Sequence, residues 1–130
     1  IFFYFSNNDK HCIYKYDLRT KECACWAGQE GKSGYLDGPI GQAMFNKPGQ
    51  MCVDSEGNII LTDTENHCIR KITMSTGYVS TLAGNQNSGY VNGSAEDAQF
   101  KKPLGICIDN DDVMYIGDSE NRAIRRLAVE

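Results

Sequence analysis

Residues 34–38, Gly-Tyr-Leu-Asp-Gly, with Ala43-Met-Phe-Asn-Lys-Pro48 and Met51-Cys-Val-Asp54 behind them, decide how this chain is read, because all three phrases return 55 residues later. The second copies are Gly89-Tyr-Val-Asn-Gly93, Ala98-Gln-Phe-Lys-Lys-Pro103 and Ile106-Cys-Ile-Asp109. The same offset carries Asp63-Thr-Glu-Asn66 and Ile69-Arg70 onto Asp118-Ser-Glu-Asn121 and Ile124-Arg125. Stepping back 56 residues, His67-Cys-Ile-Arg-Lys-Ile72 falls on His11-Cys-Ile-Tyr-Lys-Tyr16, and Leu82-Ala-Gly84 on Trp26-Ala-Gly28. A period of this length marks one supersecondary unit repeated in series.

Within the unit, residues 51–54, 58–62, 68–73 and 78–82 are short runs rich in β-branched, aliphatic or aromatic residues, separated by Gly, Asp, Asn and Ser. No window sustains a helical period, so the chain reads as all-β. Asp54-Ser-Glu-Gly57 and Ser75-Thr-Gly77 have the residues of tight turns; Asp109-Asn-Asp-Asp112 lacks the glycine, and Asn110 is the expected left-handed substitute. Four-stranded antiparallel units in series point to a β-propeller, whose radial stacking gives each small sheet a neighbour on both faces. Two stacked sandwiches would not require Pro48 and Pro103, or Asp63 and Asp118, to recur in phase.

Phe-x-x-Pro, a Val-Asp or Ile-Asp strand end, Gly57-Asn-Ile-Ile-Leu-Thr-Asp63, Asn66-His-Cys-Ile-Arg-Lys-Ile72 and Thr81-Leu-Ala-Gly84 together resemble the NHL-repeat family of β-propellers over essentially the whole chain. The long Gly-Tyr-x-Asp/Asn-Gly insert is most similar to NHL propellers that follow an IPT/TIG domain in surface proteins of Bacteroides-type bacteria. The resemblance implies blades at about 1–28, 48–84 and 103–130, roughly half of a six-bladed ring, and a location at the cell surface or in the periplasm. With the first unit lacking its inner strand and the last its outer strand, the remaining blades or a second copy of the chain are expected to cover the end faces.

The composition, 41% apolar residues in 130, suits a packed core, and no apolar run is long enough to span a membrane. Thirteen Lys and Arg against 17 Asp and Glu give a net charge of −4, which disfavours nucleic acid; Arg122, Arg125 and Arg126 are the cations that such binding would use. Cys52 and Cys107 share one repeat position, as do Cys12 and Cys68, so these read as packing residues one blade apart rather than disulfide partners. Cys23 and Cys25 face one way on a single strand without a second pair, and His11 and His67 point at successive blades, so no metal site or cofactor is expected.

Neither Gly31-Lys32-Ser33 nor the acidic turn at 54–58 fits the phosphate-binding or calcium-loop pattern it superficially resembles. Asn92-Gly-Ser94 has the form of a glycosylation acceptor. No nucleophile with a base beside it can be assembled. Asp63 with Asn66, and Asp118 with Asn121, read as structural side chains that brace loops through backbone hydrogen bonds.

Recognition remains. The connections from Gly28 to Lys47 and from Gly84 to Lys102 are long, and each presents a tyrosine with a polar neighbour: Tyr35 with Asp37, Tyr90 with Asn92. Such a pair suits a sugar or a peptide, and equally suits packing the loop onto the propeller. The chain is therefore expected to be a non-catalytic binding or scaffolding module for a protein or glycan. The alternative is a propeller hydrolase or lyase whose catalytic residues lie in other blades.

Overall fold

The computed structural model describes residues 1–128, which form eleven strands and three one-turn 3-10 helices. The expected third unit reaches residue 130; Val129 and Glu130 lie outside the described residues. Strands β1 (Phe2–Asn7), β2 (Cys12–Asp17) and β3 (Cys23–Gly28) make the first antiparallel sheet. After the two-residue β4 (Gly38–Pro39), strands β5 (Pro48–Val53), β6 (Ile59–Asp63), β7 (Cys68–Thr73) and β8 (Tyr78–Gly84) make the second, with β4 paired to the outer edge of β8. Strands β9 (Pro103–Ile108), β10 (Met114–Asp118) and β11 (Ala123–Leu127) make the third. The architecture is all-β and is that of part of a β-propeller.

The middle sheet shows why the sequence runs Ile59-Ile60-Leu61 without alternation. All five residues of β6 are buried, because the sheet has a neighbour on each face. Ile59, Leu61, Ile72 and Val79 point to the first sheet, where Ile13, Ala27 and Phe45 meet them. Ile60, Ile69 and Ala83 point to the third sheet, against Ile106, Met114 and Ile116. Hydroxyls stitch the inner strands across these interfaces: Ser6 Oγ donates to Gly49 O at 2.6 Å, and its repeat equivalent Thr62 donates to Leu104 O at 2.8 Å.

Two local details differ from the sequence reading. Strand β5 begins at Pro48, three residues before the apolar run, since a proline without an N–H is tolerated at a strand's first residue. In the turn at 109–112 the left-handed residue is Asp112 (φ 60°), not Asn110. The Asp112 N–H closes on Asp109 O at the position that Gly57 fills one unit earlier, and an Asp tolerates that conformation.

Each second strand leads into a one-turn helix ending in a left-handed residue: His11, His67 and Arg122 have φ of 58°, 54° and 52°. The histidines use this pose to tie one blade to the next. His11 Nδ1 accepts from Lys47 N at 3.0 Å, and His67 Nδ1 accepts from Lys102 N at 3.1 Å. Across from these turns, the outer strands end in glycine for want of space. A Cβ on Gly84 (φ +92°) would lie 2.8 Å from His67 O and 2.9 Å from two atoms of Cys68. We expect Gly84→Ala to cost about 1–3 kcal/mol in urea unfolding, and Gly77→Ala, with φ +65° but open space around it, roughly 1 kcal/mol. Equal losses would show that the close approach is unimportant.

Candidate functional site

The long loops are held by side chains projecting from the blade that follows them. Asp63 closes β6, Asn66 sits in the adjoining turn and Arg70 lies on β7, and all three are buried. Arg70 Nη1 donates to Asp63 Oδ2 at 2.6 Å and to Met44 O at 2.9 Å; Nη2 donates to Leu36 O and Asp37 Oδ1, both at 2.9 Å. Asn66 Nδ2 donates to Gly34 O and to Asp63 Oδ2, each at 2.8 Å, while Asp63 Oδ1 accepts from Asn46 N at 2.8 Å. One guanidinium and one carboxylate thus bond backbone groups on both arms of the hairpin that Leu36 and Met44 bridge.

The arrangement repeats between the second and third sheets. Arg125 Nη1 donates to Asp118 Oδ2 at 2.7 Å and to Gln99 O at 2.8 Å, and Nη2 to Val91 O at 2.7 Å and Asn92 Oδ1 at 2.9 Å. Asn121 Nδ2 reaches Gly89 O at 2.8 Å, and Asp118 Oδ1 accepts from Lys101 N at 2.7 Å. Each guanidinium also lies between two rings. Arg70 Cζ is 4.7 Å from the Tyr35 ring centre and 5.0 Å from that of Phe45; Arg125 Cζ is 4.7 Å from both Tyr90 and Phe100.

The structure therefore gathers all eight residues singled out in the sequence into two equivalent clusters: Tyr35, Asp37, Asp63 and Asn66, and Tyr90, Asn92, Asp118 and Asn121. Sequence reasoning missed Arg70 as the centre of the first cluster and took Arg125 for a surface cation. Arg125 is buried and ion-paired with Asp118, which removes it from any phosphate-binding surface. The signal was the recurrence of Ile-Arg at one repeat position in mid-strand, where a buried arginine needs a partner in phase.

The two clusters differ in charge and access. Around Arg70 stand two carboxylates, Asp63 and Asp37, and Arg70 Nε has no hydrogen-bond partner; around Arg125 stand Asp118 and the amide Asn92, whose Oδ1 also reaches Nε at 3.2 Å. Burial pushes the Asp63 carboxyl above the ordinary aspartate value, against the pull of Arg70, Asn66 and the Asn46 N–H. Tyr35 bonds the Thr81 hydroxyl, and burial raises its phenol. Tyr90 is 60% exposed and borders a cleft of about 300 Å³ that also touches Asn92, Arg125 and Arg126. Among the described residues, no group of three or more His, Cys, Asp or Glu is placed to hold a metal ion.

Removing a single partner of a buried pair strands the other charge. Arg70→Met is expected to lower the unfolding free energy by about 3–5 kcal/mol. Asp37→Ala, which deletes a carboxylate that is 38% exposed, should cost about 0–1 kcal/mol. Denaturant titration of both variants checks the contrast, and comparable losses would refute the central place given to the Asp63 pair.

Residues 45–72 match the NHL repeat family. The chain is 36% identical over 84 residues to the NHL repeat-containing protein 2 of Gallus gallus, covering 64% of this chain. It spans only 11% to 12% of the length of the first curated relatives it matches. Among solved structures it resembles a structural genomics protein of unknown function from Bacteroides thetaiotaomicron, at TM-score 0.93 and 33% identity, over 99% of this chain and 32% of that one. It also resembles an auxiliary nutrient binding protein of the same organism, at TM-score 0.85 and 33% identity, over 98% and 34% of the two chains. The chain is thus a run of β-propeller blades that contains an NHL repeat.

Proposed function

We propose that this chain is a non-catalytic binding module that meets a protein or glycan through the face bearing its two long loops, with Tyr35, Asp37, Tyr90 and Asn92 as contact residues. The observation that carries this reading is the pinning of both loops by buried arginines, so that a matched tyrosine and polar side chain are held rigidly on one face in each repeat. Preorganised contacts bind without the cost of ordering a loop. Tyr90 is the principal contact, because its ring is open to solvent beside a cleft with hydrogen-bonding side chains. The likeness to a protein described as nutrient binding supports a binding role, and the proposed compartment is the cell surface or periplasm.

The faces at either end are proposed to be covered by further blades of a six-bladed ring, supplied by the same protein or by a second copy. Phe3 and Phe5 on the first sheet and Ile124 on the third are exposed, whereas their counterparts in the middle sheet, Ile59, Leu61 and Ile69, are buried. Light scattering on a sizing column is expected to give twice the 14.5 kDa chain mass if a second copy closes the ring, and a concentration-independent monomer overturns the second copy.

For recognition, the test is binding of the chain to arrayed glycans and peptides. Tyr90→Ala is expected to weaken capture of whatever ligand emerges by at least about tenfold, equivalent to roughly 1.4 kcal/mol, with the unfolding midpoint little changed. Undiminished capture by that variant would remove Tyr90 from the site.

A further inference from the structure

Both joints between successive sheets pass through a histidine, and the direction of the bond fixes the state of the ring. At each joint the main chain is the donor: Lys47 N donates to His11 Nδ1, and Lys102 N to His67 Nδ1. A ring nitrogen that accepts carries no proton, so both imidazoles are neutral with the proton on Nε2. A second proton, taken up at Nδ1, turns that acceptor into a donor aimed at another N–H, and the bond is lost. Each ring is half-buried, so solvent reaches it. In the third unit the same left-handed position holds Arg122, whose side chain has no acceptor, so the device belongs to the first two units.

The charged neighbours are mixed in sign. His67 has Glu65 on its own turn and Lys101 and Lys102 on the arriving loop. Glu120 on the next turn is tied to that loop through its N–H on Lys101 O at 3.1 Å. Lys102 Nζ lies 3.6 Å from Glu65 Oε2, so those two charges largely offset each other. His11 has Asp9 and Lys10 on its turn, Lys47 on the arriving loop and Glu65 on the next turn, whose N–H donates to Asn46 O at 3.0 Å. Beyond β3, Gly31 N donates to Lys10 O at 2.8 Å and brings Glu30 alongside. The outer strands close behind the two turns with Gly28 and Gly84, which carry no charge. Carboxylates and ammoniums thus surround each ring together, while the group bonded to Nδ1 is an amide N–H in both.

We propose that His11 and His67 are proton-sensitive joints, which couple one blade to the next while neutral and release it when protonated. The folded chain holds both rings neutral, whereas the unfolded chain leaves them free to bind protons below the ordinary histidine value of about 6.5. The unfolded state therefore binds more protons as pH falls, so the contribution of each joint is complete above that value and is lost progressively beneath it. Release frees the N–H groups of Lys47 and Lys102, the last loop residues before β5 and β9, so acid loosens the ends of both long loops by local opening.

The test replaces each ring by a side chain with the same acceptor and no proton to gain. In His11→Asn and His67→Asn, Oδ1 takes the place of Nδ1, and asparagine tolerates the left-handed backbone of both positions. Urea unfolding of the whole chain would be compared between about pH 7.5 and about pH 5.5, where histidine titrates. Over that interval the folded-to-unfolded ratio is expected to fall about tenfold less for each histidine replaced; groups titrating in both chains cancel in the difference. Amide hydrogen exchange on the unaltered chain, corrected for its intrinsic pH dependence, is a readout independent of the variants. Protection of the Lys47 and Lys102 amides is expected to fall about tenfold over the same interval. Equal pH dependence in the unaltered chain and the double variant, or undiminished protection of those two amides in acid, overturns the proposal.

Discussion

The buried Arg70–Asp63 pair is the interaction on which the loop face depends. The hairpin from Gly34 to Phe45 closes across its arms through the paired Leu36 and Met44 backbone groups and the Gly34 N–H on Phe45 O, and Arg70 ties the same arms to the sheet beneath. A guanidinium is suited to this position because its planar fork delivers several donors in fixed directions. One side chain thus gives a second donor to Leu36 O and to Met44 O, on opposite arms of the hairpin, each of which also accepts a backbone N–H. Asp63 neutralises the cation and uses its other oxygen on Asn46 N, fixing where the loop rejoins strand β5. Desolvating two charges is expensive, so the pair contributes a unique loop conformation more than net stability.

Stacking is the second constraint, and it explains the pattern of side chains around the first. A sheet with neighbours on both faces has little room for polar groups, which is why β6 is buried throughout and why Thr62 and Asp63 are admitted only with full sets of partners. The histidines of the one-turn helices work on the same principle. Each accepts an N–H from the start of the next blade while its left-handed backbone turns the chain into the third strand. Blade order, loop conformation and turn geometry are therefore coupled through a few side chains per repeat.

These couplings determine what could be read from the sequence. The repeat phase and the short β-rich runs were enough for the all-β fold and for β7, because those signals are local. Pro48 was left outside β5 because the strand's first residues, Pro48, Gly49 and Gln50, have no β propensity and are set by pairing with β6. Arg125 resembled a solvated cation because its partners Asn92 and Val91 are more than thirty residues distant and its burial is tertiary. Tyr35 and Tyr90 were visible as a matched pair, but the guanidiniums beneath them were not, since cation–ring stacking leaves no pattern in sequence spacing.

The first sheet shows that the lock is separable from the blade. Asn7, Lys10, Tyr14 and Cys25 stand where the second sheet has Asp63, Asn66, Arg70 and Thr81, yet β1, β2 and β3 pair in the same register and carry the same irregularity as their counterparts in the second sheet. Sheet formation thus does not require the buried ion pair. Where the pair is present, a Gly-Tyr-x-Asp/Asn-Gly loop packs over it; in the first sheet the same face carries Phe3, Phe5, Tyr14 and Tyr16. Holding a loop and forming a blade are separate tasks written at separate positions of one repeat, which leaves the face free to diverge while the fold persists.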